Sequence, residues 1–229
     1  MQAAALFHLL QLASPSLPIG AYSYSQGLET AIVQGHVSDP ASARVWLANQ
    51  MQQVMGQFEA PLFWRLLHAF GTRDAQGVAD WNDCFLAARE TAEFRAETVQ
   101  MGYSLAKLIV ELQIADAALL ALLLPLQAQG EVALPTALAC ASVALEVPHD
   151  AALLGMLFSW LENQVLVCVK SIPLGQVAGQ RLLLSLRSEL EATAHRAQHL
   201  RDDELNNWWP GLSLLSMQHE VQYSRLYRS

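Results

Sequence analysis

The sequence predicts an all-α protein: a single helical-bundle domain of about eight to ten helices. Three observations carry that prediction. Leu (40) and Ala (34) dominate the 229 residues, against 15 Val, 5 Ile and 6 Thr; Ala and Leu are strong helix formers, whereas β-branched residues favour strands. Apolar residues recur at helical spacing, and Asp-Pro, Pro and Gly punctuate the chain at helix-length intervals. Charged residues are only 15% and hydrophobic ones 53%, a composition that excludes disorder and implies apolar surface covered by another protein.

The elements follow in order. Ala3–Ala13 reads as a short helix with Leu6, Leu9, Leu10 and Ala13 on one face. Pro15, Pro18 and Gly20 break the backbone over Ser14–Tyr24. Ser23 and Gln26 have capping-box spacing, which predicts a helix to about Val33 that stops at Gly35. Asp39-Pro40 starts a helix toward Phe58, Pro61 starts another that Gly71 ends, and a helical region begins near Asp74. From Asn82 to Gln113 there is no Pro, and the only Gly is Gly102; Arg89, Glu90, Glu93 and Glu97 give this stretch a polar, solvated face, with Arg89 and Arg95 at hand to balance the acids. Asp116–Leu124 is nearly all Ala and Leu, which predicts a central helix. Pro135 opens another, Asp150 can cap a long apolar one to Lys170, and Gln176–Leu200 reads as one helix. Trp208–Gly211 is a break, which divides the chain into a helical domain (1–211) and a flexible C-terminal tail (212–229). Residues 101–182 carry nine charges, so the middle is the expected core and a dimer face.

The net charge of −8 and the absence of a basic stripe argue against a nucleic-acid partner. Cys84, Cys140 and Cys168 are scattered and odd in number, which fits a reducing cytoplasm. The greasiest stretch, Ile114–Leu126, contains Asp116 and Pro125 and is too short for a bilayer; the N-terminus has no basic n-region, so neither a membrane span nor a signal peptide is expected.

Chemistry-bearing motifs are sparse. His195 and His199 are i,i+4, but Arg196 follows the first, so HExxH is absent; His219-Glu220 begins that motif and Tyr223 interrupts it. No GxSxG elbow and no P-loop exists. This inventory favours a binding protein with no catalytic residue and no intrinsic cofactor or metal. Three features stand out, one of them Lys170 near the end of an otherwise apolar helix, which either stabilises the last helical carbonyls or offers a contact to an acidic partner. Ser14–Glu29 (SPSLPIGAYSYSQGLE) is a long loop with two Tyr and four Ser ahead of a helix. The end of the chain packs Tyr223, Arg225, Tyr227 and Arg228 into six residues, which reads equally as a set of interface anchors or as a tail packed on its own domain.

Four blocks carry a family resemblance: Ser14–Glu29, Ala88–Leu105 (ARETAEFRAETVQMGYSL), Trp160–Leu183 (WLENQVLVCVKSIPLGQVAGQRLL) and His219–Ser229 (HEVQYSRLYRS). Together they resemble the UreF family of urease accessory proteins. Tyr227 stands where that family often has Phe, and Ser171 where an apolar residue is common. The resemblance implies an all-α, non-catalytic cytoplasmic homodimer. It implies a complex with UreD (also called UreH) and the GTPase UreG that docks on apo-urease and delivers Ni²⁺, handled transiently. On this reading Tyr223, Arg225, Tyr227 and Arg228 face UreD/UreH, and Glu29 and Lys170 face UreG. The competing readings are a helical adaptor of an unrelated assembly and a metal hydrolase built on His195 and His199.

Overall fold

Four helices begin where the sequence offers a capping side chain, as the computed structural model, which describes residues 2–229, makes plain. Asp39 accepts from the Ser42 N–H at 2.8 Å, Asp74 from Gly77, Thr91 from Phe94 and Asp116 from Leu119. Each bond satisfies an amide that the first helical turn leaves without a partner. The α-helices in chain order are α1 (Ala3–Leu12), α2 (Leu28–Val33), α3 (Pro40–Gln50), α4 (Ala60–Thr72), α5 (Ala75–Ala87) and α6 (Ala92–Glu111). They continue as α7 (Ala117–Gln129), α8 (Leu134–Ala144), α9 (His149–Ser171), α10 (Gln176–Ser185), α11 (Arg187–His199) and α12 (Pro210–Glu220), and no strand occurs among the described residues.

α3 and α4 are not separate rods. Met51–Glu59 joins them as a π-helical stretch, so residues 40–72 run without interruption. Pro61, expected to open a new helix, sits inside this rod. It has no N–H to return to the Gln57 carbonyl four residues earlier. The Asn206 N–H donates to that carbonyl at 3.1 Å, so the lost partner is replaced from outside the helix.

α4 is the centre of the bundle. Leu62, Phe63, Leu66, Leu67 and Phe70 are fully enclosed, and α5, α8, α9, α11 and the π stretch pack around them. α7 does not hold the central position that its composition suggests. Only Leu119, Leu123 and Leu126 are buried, while Leu124 is exposed; the rest of its outer surface is largely small Ala, which costs little to leave in water. α9 is long and apolar enough to cross a membrane by length and composition, yet half of that span is buried in the bundle against α1, α2, α4, α10 and α11.

Other boundaries differ from the sequence reading for local reasons. The Ser23/Gln26 capping box does not form, because Gln26 (φ +54°) and Gly27 (φ +79°) are both left-handed and α2 starts only after them. The polar stretch from Asn82 breaks before Thr91, whose cap starts α6. α9 starts behind Pro148, so Asp150 lies in its first turn rather than at its cap. Gln176–Leu200 divides at the fully buried Leu186. The proposed domain boundary at 211/212 falls within α12, whose Leu212, Leu215, Ser216 and His219 face inward at helical spacing.

Gly102 marks the closest approach of two backbones. A Cβ there would overlap the carbonyl oxygens of Val132 and Ala133, which are backbone atoms and cannot swing aside. Gly102→Ala is therefore expected to destabilise the fold by about 3 kcal/mol, the upper part of the range for overpacking, read as a lowered midpoint of chemical denaturation. An unchanged midpoint would mean that α6 is free to move away from residues 132–133.

Candidate functional site: the C-terminal clasp

The backbone after α12 has no ladder of its own, and a buried amide needs an acceptor. Glu29, in the first turn of α2, provides it. Its Oε1 accepts from the Leu226 N–H at 2.7 Å and its Oε2 from the Tyr227 N–H at 3.0 Å. The carboxylate is only 4% exposed, so these charge-assisted bonds form out of water. The segment closes over the loop before α2 by further bonds. The Ser25 N–H and hydroxyl both donate to the Ser229 main-chain oxygen, and the Arg228 N–H donates to the Ser23 carbonyl at 2.8 Å.

Two carboxylates on α6 complete the clasp. His219, fully buried on α12, places Nε2 3.0 Å from Glu29 Oε2 and Nδ1 2.9 Å from Glu93 Oε2. Both bonds are donated only by the doubly protonated ring. Arg225 Nη1 donates to Glu93 Oε1 at 3.2 Å. One turn further on, Glu97 accepts from the Gln26 amide at 2.7 Å and from the Ser229 hydroxyl at 2.9 Å. Burial pushes the Glu97 carboxyl up to about 7, although both of those bonds oppose the shift. Gln26 in turn accepts from the Trp160 indole, and Asn163 donates to the Tyr24 carbonyl, which fixes the loop to α9.

The sequence-predicted residues come together differently from the expectation. Glu29 is interior in this structure and does not line a surface. Lys170 is exposed at the end of α9, with Nζ 5.9 Å from the centre of the buried Tyr227 ring. Glu29, Lys170, Arg225 and Tyr227 thus form one cluster. Tyr223 is fully exposed, and Arg228 is exposed with its side chain beside the Tyr24 phenol. The solvated-face reading of Glu93 and Glu97 also fails: they face the clasp. Arg89 and Arg95 pair elsewhere, with Glu59 at 2.7 Å and Glu131 at 3.0 Å. The sequence reading missed His219, Glu93, Glu97 and Ser25 as a group. Its available signal was the i,i+4 spacing of Glu93 and Glu97, which places both on one helix face.

Other candidates lead to less. His195 and His199 stack with ring centres 4.4 Å apart near the end of α11, and His199 Nδ1 lies 2.7 Å from the His195 carbonyl oxygen. Among the described residues no three His, Cys, Asp or Glu are grouped to hold a metal. Burial pushes the Cys140 and Cys168 thiols up to about 12, which leaves them poor nucleophiles. A cavity of about 140 Å³ lies behind the clasp, walled by Met55, Phe85, Phe94, Met101 and Trp160 and edged by Glu97 and the Arg89–Glu59 pair.

Removal of the Glu29 carboxylate leaves two amides and His219 without their acceptor. Glu29→Ala is expected to cost about 3–5 kcal/mol, the range for breaking a buried charged network, and to open residues 221–229 to limited proteolysis. Cleavage of that segment at the wild-type rate would show that Glu29 does not hold it.

The comparisons with known proteins now bear on this geometry. The UreF family profile matches residues 37–187. The urease accessory protein UreF of Janthinobacterium sp. (strain Marseille) is 70% identical over all 229 residues and the full length of both chains. That of Nitrosospira multiformis is 63% identical over 98% of each chain, and that of Cupriavidus necator 48% identical over 98% of this chain and 97% of its own. The alignment with the first relative runs through the clasp at both of its ends. A family match over most of the chain and identity along its whole length show that the chain belongs to the UreF family of urease accessory proteins, which assist an enzyme and are not catalysts themselves.

Proposed function

We propose that this chain is a non-catalytic helical scaffold that bridges UreD/UreH and the GTPase UreG in the cytoplasmic assembly that delivers Ni²⁺ to apo-urease. It acts as a homodimer and has no nucleic-acid or membrane partner. The nickel is cargo, handled transiently by the assembly, and GTP belongs to UreG. One observation supports this reading above the others. The clasp fastens the backbone of the last residues from inside while leaving Tyr223 fully exposed, Leu226 73% exposed, and Arg225 and Arg228 at the surface. Rigid aromatic area beside forked cations, on a pre-ordered segment, suits a protein interface because little entropy remains to be lost on binding.

On this reading Tyr223, Arg225 and Arg228 contact UreD/UreH, and Tyr227 seats the segment. Lys170, exposed beside Tyr227, contributes to the UreG-facing surface. Glu29 acts on both contacts indirectly, by holding the backbone that presents them. Regulation of the GTPase through this shared cluster is part of the proposal.

Expression of the matching urease operon with and without this chain tests the function. Soluble, nickel-poor, inactive urease is expected without it, with nickel content and activity restored when it is returned. Fully loaded urease in its absence would overturn the maturation role. Deletion of residues 222–229 is expected to abolish co-purification of UreD/UreH, and Lys170→Ala to weaken recovery of UreG by at least severalfold without changing the fold. A truncated chain that still captures UreD/UreH would remove the clasp from that interface.

A further inference from the structure

The three carboxylates of the clasp are not equivalent. Glu29 has two amide donors and His219; Glu93 has His219 and the Arg225 guanidinium. Glu97 has only neutral donors, the Gln26 amide and the Ser229 hydroxyl, and is itself 4% exposed. The guanidinium that acts on it, Arg89, is held by Glu59 at 2.7 Å, and the Glu59 charge works against a second anion nearby. Tyr24, beside Glu97, spends its hydroxyl on Gln100 and faces Arg228. Lys170, from α9, lies over the Tyr227 ring. A buried carboxylate with no cation of its own is costly, and a proton relieves that cost.

We propose that Glu97 is a proton-operated catch: its neutral carboxyl holds residues 221–229 docked, and its ionisation loosens them. In the docked arrangement the Glu97 carboxyl carries its proton, and Gln26 and Ser229 each cover one of its oxygens at the edge of the cavity. On ionisation full hydration of the carboxylate requires Ser229 to move away, which also withdraws the Ser229 main-chain oxygen from Ser25. Glu29, Glu93 and His219 stay on α2, α6 and α12, while Arg225 and the Leu226 and Tyr227 amides leave them with the segment. The inference describes regulation of the partner-binding segment proposed above, but segment docking is measured on the isolated chain, so the catch and the partner assignment can fail separately.

The sign follows from where the proton is held. Docked Glu97 keeps its proton up to about 7, whereas a released, hydrated Glu97 titrates near the ordinary 4.5. The docked state therefore binds more protons between these values. Docking is strongest below the lower one, weakens by up to about tenfold per pH unit across the interval, and levels off above the upper one.

Amide hydrogen exchange of the full chain at pH 5, 6, 7 and 8, corrected for intrinsic exchange, reads this directly. The reporting amides are Leu226 and Tyr227 on the segment and Ser25 on the body, with α4 amides as the control for global opening. In the wild type the protection of the three reporters is expected to fall by up to about a hundredfold from pH 5 to pH 7, while α4 stays constant. Glu97→Gln, a neutral isostere, is expected to keep all three protected at every pH. Flat protection in the wild type overturns the proposal, and so does a Glu97→Gln chain that retains the wild-type slope. Should that variant fold poorly, as α4 exchange would show, Ser229→Ala takes its place. It removes the hydroxyl that covers Glu97 Oε2, so the expected fall in protection shrinks; an unchanged fall counts against the catch.

Discussion

Water is excluded from the Glu29 carboxylate, and much of the architecture at this end of the bundle follows from that exclusion. A buried anion needs several donors with good geometry. Glu29 finds them in two consecutive amides of the last segment and in a histidine that a second carboxylate holds from the opposite side. The arrangement works only if α2, α6 and α12 stand at fixed separations. Packing of α12 on both α2 and α6 is therefore an electrostatic requirement as well as an apolar one. The capless start of α2 fits the same requirement. Left-handed Gln26 and Gly27 turn the chain so that Glu29 points inward, and the Gln26 amide is delivered to Glu97.

Below the clasp the bundle is held by a core of ordinary kind. α4 lies at its centre, and a continuous rod from residue 40 to 72 carries it there through a π-helical passage. π stretches occur frequently at functional positions. Here Gly56, in the middle of the passage, faces Thr193 of α11, and a Cβ would crowd the Met51 carbonyl oxygen of its own rod at 3.2 Å. The rod also anchors the linker to α12, because the Gln57 carbonyl receives the Asn206 amide. The position of the last helix is thus tied to the widest part of the first long one.

The sequence made the helix class and most helix starts legible, because those depend on local chemistry. Asp39-Pro40, Asp74 and Asp116 act on amides three residues away, and no distant contact competes. It misled where a distant partner repaired a local defect, as Asn206 does for Pro61, and where small residues made apolarity cheap to expose, as on α7. The clasp was half legible. Tyr223, Arg225, Tyr227 and Arg228 announce an unusual segment by composition alone. That Glu29, Glu93 and Glu97 lose their water to it depends on contacts 132 to 198 residues apart, and no window of sequence contains them. Family resemblance joined the blocks but could not say which side chain faced which.

Those separations bear on how the chain is made. During synthesis α2 and α6 leave the ribosome long before residues 219–229, and Ser25 waits for a partner 204 positions later. Throughout that interval Glu29, Glu93 and Glu97 are hydrated and mutually repelling, and the half-built bundle has every reason to keep its edge open. The final few residues then convert three repelling charges into a network of bonds. A nascent chain that stalls before residues 219–229 lacks the donors that Glu29, Glu93 and Glu97 receive from them. That difference gives a cell a physical basis for telling an unfinished chain from a finished one, before any partner has to.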